Sequence, residues 1–374
     1  MALASVALAS CVKNEISAPE LEGVKIGFAA PVMYSSVDTR ANVYGEIGTT
    51  GTTSAYPEDE SFMIFAVQHE GALTSWDDAT EAEFNGQEIS HDSNLGAWVP
   101  KNSVTGSYYY WPTGKLMSFA AVSPADLEVD GCNPKYDANG LMLENFVIND
   151  DPANQYDLLF SKRATDKSAD DMIQSSSYYS GISIEFKHAL TSIHFAISKE
   201  EGVTDDIALT KIELVNAVNK GSFNENITDE TEYASKPTWE VSNDAEDIQN
   251  YVAFSGKVVF PTEQKLVSVI AANDADSDDE NEKSHALLLL PQALTDNIDL
   301  EVSYTVKSNG TSSEFKKIVN LNAYPAGNPI TKWEIGKRYT YRLIYGKASQ
   351  KQDVISFSPS VEGWVDATTI DIVL

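Results

Sequence analysis

Cysteine is almost missing: the 374 residues hold only two, Cys11 and Cys132. That excludes a disulfide-stapled scaffold, and without a C-x-x-C or a Cys/His cluster nothing points to zinc. Positive charge is scarce as well. Against 56 Asp and Glu stand 26 Lys and Arg, for a formal net charge of −30 and a pI near 4.3. A nucleic-acid binder needs clustered cations to meet phosphate, so that class is excluded. Electrostatic docking on anionic lipid is excluded for the same reason. No apolar run reaches ~18 residues, so no membrane-spanning helix is expected.

Catalytic signatures are missing too. There is no Walker loop, G-x-G-x-x-G, G-x-S-x-G or H-E-x-x-H. The five histidines are His69, His91, His188, His194 and His285. Only His188 and His194 lie close together, and on one strand their even spacing puts both on one face. A metal pair is one reading of them; packed or solvated side chains are the favoured one. Asp274, Asp276, Asp278, Asp279, Glu280 and Glu282 crowd residues 273–282. Alternating carboxylates are the mark of a Ca²⁺ loop. Here the glycine of loop position 6 is missing and His285 stands where the closing Glu belongs, which favours a solvated acidic loop. No two of the 56 acids are singled out for glycoside hydrolysis. We expect neither a catalytic residue, nor a metal, nor a cofactor.

What is present points to β structure. Hydrophobic residues make up 42% of the chain, enough for sizeable cores, and 17 Tyr and 14 Phe favour strands. Val24–Phe28 alternates, and strand candidates follow between turn clusters: Phe62–Gln68, Glu83–Ser90, Tyr108–Trp111, Leu116–Val122 and Asp157–Phe160. A second series runs from Ile182–Phe186 and His188–Ile197 to Arg338–Tyr345, Val354–Phe357 and Ala367–Leu374. Ala286–Leu290 reads as a strand or a turn of helix, and the Ser/Thr/Gly-rich residues 34–58 as an exposed loop. Strands at ~8–12-residue spacing predict an all-β protein of two tandem β-sandwich domains. Cys132 then sits in a turn or packs as a small residue.

The amino terminus, Met-Ala-Leu-Ala-Ser-Val-Ala-Leu-Ala-Ser-Cys, resembles a bacterial lipobox in which Cys11 becomes the lipid-bearing residue. It departs from a full signal in its shortness and in having no Lys or Arg ahead of the apolar run. The expected organisation is a lipoprotein signal over 1–11, a tether and leader strand over 12–40, and sandwich domains over 41–178 and 179–374. Tyr108, Tyr109, Tyr110 and Trp111 offer an aromatic platform for sugar, although strand alternation buries half of such a run.

Several strings, in order along the chain, resemble the fimbrillin family of the Bacteroidia, the type V pilins and their minor-subunit relatives. They are Tyr109-Tyr110-Trp111-Pro112, Phe119-Ala120-Ala121-Val122-Ser123-Pro124, Asp157-Leu158-Leu159, Ile184-Glu185-Phe186-Lys187-His188-Ala189-Leu190-Thr191-Ser192-Ile193-His194-Phe195, and Trp333-Glu334-Ile335-Gly336-Lys337-Arg338-Tyr339-Thr340-Tyr341. The resemblance implies transthyretin-like sandwich domains, a lipidated precursor at the outer membrane, and an extracellular fimbria. It also implies a trypsin-like protease that cuts after an arginine and removes the leader strand. In this sequence that cut falls between Arg40 and Ala41, and the leader strand carries Val24, Ile26 and Phe28. The partner is then another subunit of the same kind, whose terminal strand presents Ile370, Ile372 and Leu374 on one face. Alternatively that strand closes its own sandwich. A monomeric surface lipoprotein that binds glycan or a host or bacterial surface ligand is the competing function, and a fimbrial tip or anchor is a third.

Overall fold

The computed structural model describes residues 26–29, 32–34, 53–78, 81–94, 96–100, 109–127, 131–169, 181–229, 233–261, 267–269, 283–284, 286–295, 297–308, 310–323, 329–346, 355–363 and 367–368. Over these residues the chain is all-β, with three-residue 3-10 turns such as Trp76–Asp78 and Pro152–Asn154. The largest sheet has nine strands. Its path runs Thr53–Ala55, Val32–Tyr34, Glu185–His188, Leu159–Ser161, Leu116–Ser123, Ser61–His69, Glu81–Asp92 and Ala97–Pro100. Ala164–Lys167 also pairs with Leu116–Ser123.

Two central strands explain how this sheet is packed. Ser61–His69 sends Phe62, Ile64 and Ala66 to one face and Met63, Phe65 and Val67 to the other, all of them buried. Leu116–Ser123 does the same, with Met117, Phe119 and Ala121 on the first face and Ala120 and Val122 on the second. A strand covered on both sides needs a continuous apolar run, which is how Phe-Met-Ile-Phe-Ala-Val reads. The first face encloses an aromatic cluster. The second packs on a four-stranded sheet of Thr238–Val241, Lys220–Asn224, Gly140–Val147 and Lys135–Asp137. Phe160 of the large sheet meets Phe223 of the small one with ring centres 5.2 Å apart. Cys132 is buried in this second core, a packed small residue.

The large sheet and its small neighbour draw on both halves of the sequence. Glu185–His188 belongs to the large sheet, and Lys220–Asn224 pairs directly with Gly140–Val147. The predicted boundary at 178/179 lies outside the described residues. A buried carboxylate ties the two sheets together. Glu225 accepts the Leu141 N–H at 2.8 Å and the Tyr233 hydroxyl proton, and that hydroxyl also lies 3.0 Å from the Ser161 carbonyl. Arg163 lies over the Trp76 and Tyr136 rings and donates to the Tyr136 hydroxyl at 2.8 Å, so its charge is solvated by π faces and oxygen acceptors.

The rest of the chain forms a second pair of sheets. One contains Val267–Ser268, Thr191–Lys199, Lys337–Tyr345, Ile355–Gly363 and Ala367–Thr368, with Leu287–Leu289 also on Thr191–Lys199. The run 286–290 is therefore strand, not helix. The other contains Lys283–Ser284, Ile248–Val259, Asp206–Val218, Asp299–Ser308 and Thr311–Asn320. Ile193, Phe195, Ile197, Tyr341 and Leu343 of the first share a core with Leu209, Ile212, Leu214, Leu300 and Val302 of the second. The Tyr304 and Tyr345 rings join the two sheets edge to face at 6.0 Å.

The expected continuous strand from His188 to Ile197 is broken. The chain leaves the large sheet after His188, crosses at Ala189–Leu190 and enters the second sheet pair at Thr191. Ala189 N–H donates to Leu158 O, Trp239 Nε1–H to Ala189 O and Gly336 N–H to Leu190 O, each at 2.8 Å. His188 and His194 consequently lie in different sheets and cannot share a metal. His188 Nδ1 is 2.5 Å from the buried Asp157 carboxyl, whose pKa burial pushes up, and His194 Nε2 is 2.8 Å from Ser192 Oγ.

His194 makes stability depend on pH. Burial first, and then the Arg338 cation, holds its imidazole well below the ordinary histidine range. Unfolded, the same ring takes up a proton as pH falls through about 6.5. The folded state does not, so stability is full above that pH and declines below it by up to about 1.4 kcal/mol per pH unit. Urea-unfolding midpoints between pH 7.5 and 5 should fall with acidification, and His194→Gln should flatten the dependence. Equal slopes for the two proteins would exclude His194 as the source.

Candidate functional site

Residues 26–29 occupy a place that no neighbour in sequence supplies. Phe28 bridges antiparallel to Trp98 on one side and parallel to Ile182 on the other. Trp98 belongs to Ala97–Pro100, the last strand of the large sheet, and Ile182 directly precedes Glu185–His188. The pairing of the sheet thus returns on itself through one short segment. Phe28 N–H donates to Trp98 O at 2.9 Å, Ala29 N–H to Ile182 O at 3.0 Å, Ile182 N–H to Gly27 O at 3.0 Å, and Ile26 N–H to Tyr109 O at 2.8 Å. Further along, Val32 and Met33 pair in parallel with Glu185 and Phe186, so 26–29 and 32–34 both lie beside the segment that starts at Ile182. Gly181 makes room for 26–29. A Cβ there would lie 2.1 Å from the Phe28 carbonyl carbon and 2.2 Å from Ala29 N, and its φ is +56°.

The seat beneath the segment is aromatic. Ile26 and Phe28, each 1% exposed, point into the cluster on the first face of the large sheet. The Phe28 ring meets Phe62 at 6.2 Å and Phe119 at 5.7 Å, both nearly perpendicular. Phe62 in turn touches Tyr56 at 5.7 Å, Trp98 at 5.7 Å and Phe186 at 5.6 Å. Tyr56 lies within the stretch expected to be an exposed loop, yet it is buried. Its hydroxyl donates to Ser61 O at 2.9 Å and takes a bond from Ser123 Oγ at 2.8 Å, which satisfies it inside the core. Burial raises the Tyr56 pKa, so the hydroxyl stays protonated.

Of the residues singled out in the sequence, Ile26 and Phe28 are thus brought together on one buried face. Val24, Cys11, Arg40, Ala41, Ile370, Ile372 and Leu374 lie outside the described residues, as does the acidic stretch 273–282. The terminal segment is described only to Ala367–Thr368, which pairs with Val361 and Glu362 at a sheet edge. The aromatic run divides as alternation requires: Trp111 packs into the core, Tyr109 is half-buried with its hydroxyl on Gln87, and Tyr110 is 46% exposed. Among the described residues no three His, Cys, Asp or Glu side chains gather as metal ligands, and no helix is long and apolar enough to cross a membrane. The walls of the seat escaped sequence inspection because Tyr56, Phe62, Trp98, Phe119 and the 181–186 run come from segments scattered along the chain.

No curated protein matches the chain. Among solved structures it is similar to a fimbrial protein from Bacteroides vulgatus, with 16% identity, a TM-score of 0.53, and coverage of 91% of this chain and 99% of that one. Proteins assigned to cell adhesion from Bacteroides uniformis and Bacteroides ovatus align at 13% and 15% identity. Their TM-scores are both 0.45, over 90% and 92% of this chain and 98% and 99% of theirs. The fimbrillin-like family matches residues 39–364. By that match over most of its length, the chain belongs to the fimbrillin-like family, whose members are structural pilus subunits and not enzymes.

Proposed function

We propose that this chain is a subunit of a cell-surface fimbria, exported as a lipoprotein precursor through Cys11, cut between Arg40 and Ala41, and polymerised by strand exchange. The observation that carries this reading is the seat of Ile26 and Phe28. A cut after Arg40 frees 26–29 and Val32–Tyr34 together, since both precede it. Ala97–Pro100 and Glu185–His188 would then present open edges, and Thr53–Ala55 would lose its partner. The four backbone hydrogen bonds are worth about 0.5–1.5 kcal/mol each, and the two buried side chains about 1.5–3 kcal/mol each. An emptied track is therefore a strong acceptor for another strand.

The terminal segment supplies the donor. Ile370, Ile372 and Leu374 repeat every second residue, the spacing of Ile26 and Phe28. Among the described residues Ala367–Thr368 is the edge strand of its sheet, paired on one side to Val361 and Glu362. The family match, from 39 to 364, leaves both the leader and the terminal segment outside.

Treating the purified precursor with trypsin should produce a ladder of polymers on a gel, and deleting residues 369–374 should leave a folded monomer with no ladder. A wild-type monomer that only loses ~4 kDa, about 40 residues at roughly 110 Da each, would refute strand exchange and favour the ligand-binding lipoprotein.

Gly181→Ala offers a second check. It should destabilise the precursor by about 2–4 kcal/mol through overlap with Phe28 and Ala29. Once the leader is gone only the left-handed backbone is strained, at about 1–2 kcal/mol. Calorimetry before and after removal reads the difference, and an equal loss in both forms would contradict the leader's place beside Gly181.

A further inference from the structure

We propose that the seat of Phe28 is an aromatic-selective strand acceptor. Its ligand is an extended segment with an aliphatic side chain followed, two residues later, by an aromatic ring. The chain's own leader is then a better ligand than its terminal strand, and the clipped leader inhibits assembly. This deepens, and rests on, the strand-exchange function proposed above.

Three observations carry it. First, Phe28 is held by two edge-to-face contacts, at 84° to Phe62 and 86° to Phe119. Such contacts depend on the ring quadrupole, which an aliphatic side chain lacks. Second, the walls are fixed. Phe62 is wedged among Tyr56, Trp98 and Phe186, and the Tyr56 hydroxyl is anchored at both Ser61 and Ser123. A smaller side chain in a seat that cannot collapse leaves a cavity, and the loss grows with its volume. Third, the glycine clearance at Gly181 and the bonds on both edges confine any incoming backbone to the leader's track. A strand cannot slide sideways to improve its fit.

The terminal sequence Ala-Thr-Thr-Ile-Asp-Ile-Val-Leu, 367–374, contains no ring. Whichever of Ile370, Ile372 or Leu374 enters the Phe28 position underfills it. The leader sequence Ile26-Gly27-Phe28 fills it, with nothing at Gly27 to obstruct the opposite side. Proteolysis cuts the connection without weakening this fit, so a clipped leader remains seated until it dissociates, and it competes with donors afterwards.

The test uses the trypsin-treated precursor with three synthetic peptides: residues 24–34, the same peptide with Phe28→Leu, and residues 367–374. Two readouts are taken, growth of the polymer ladder and displacement of a labelled 24–34 peptide by native mass spectrometry. The 24–34 peptide should suppress the ladder, and the Phe28→Leu peptide should need at least tenfold more for the same effect. The terminal peptide should displace the label no better than the Phe28→Leu peptide. Equal potency of all three overturns the aromatic selectivity while leaving strand exchange intact. Absence of any ladder once the clipped leader has been separated from the subunit overturns strand exchange, and the displacement ranking then decides the selectivity on its own. Failure of the 24–34 peptide to bind overturns both.

Discussion

The backbone of Phe28 is bonded on both edges, to Trp98 across one and, through Gly27 and Ala29, to Ile182 across the other. A nine-stranded sheet whose pairing would otherwise end at Ala97–Pro100 closes through this segment. Buried backbone groups without partners cost about 1–3 kcal/mol each, so the two flanking edges require an occupant. The aromatic cluster depends on the same closure, because Ile26 and Phe28 complete one wall of it. The segment is held by hydrogen bonds and by ring contacts, interactions that a strand from elsewhere can also make.

The other face of the large sheet makes that closure separable from the rest of the fold. Met63, Phe65, Val67, Ala120, Val122 and Phe160 turn away from the leader into a core that continues through the four-stranded sheet to Tyr341, Leu343 and Tyr345. The crossing at Ala189–Leu190 is locked by Trp239 and Gly336, and the Asp157–His188 contact sits beside it. The apolar residues among them belong to this second core, whereas Ile26 and Phe28 belong to the first. The sheet therefore has one face whose core excludes Ile26 and Phe28 and one face whose core includes them, and the division follows from simple alternation along Ser61–His69 and Leu116–Ser123.

Alternation also decided what the sequence could tell. The all-β class and most long strands were legible because apolar runs of strand length recur between turn clusters, and the shared face of Ile26 and Phe28 because 24–28 alternates. The four-stranded sheet was not. In Gly140–Val147 the buried residues are Leu141, Leu143 and Phe146, and the step of three arises at Asn145, whose φ is +57°. The register against Lys220–Asn224 shifts at that bulge, so a search for strict alternation passes over the strand. The break at Ala189–Leu190 was hidden for the opposite reason. Thr191–Lys199, which follows the crossing at once, is buried on both faces, and no Gly or Pro separates it from Glu185–His188 to mark the break. Tyr56 was misjudged because its Ser/Thr-rich surroundings say nothing of a core partner far along the chain.

Charge sets the remaining constraint on assembly. Residues 1–40 carry three Lys and Arg and four Asp and Glu, so removing them changes −30 only to −29. Neighbouring subunits in a filament would repel one another over a Debye length of ~8 Å at physiological salt. Ion pairs such as Lys316–Glu301 and Lys211–Glu213 neutralise the outer sheet locally, but exposed pairs contribute little to stability and form within one chain. The attraction between subunits must then come from interactions indifferent to net charge: backbone pairing along an open edge and apolar side chains entering a dry aromatic seat. Both are short-ranged and demand close register. The acidity that argues against nucleic acid thereby also disfavours loose association between subunits, and the proposed strand insertion is a contact of the short-ranged, apolar kind that such chains require.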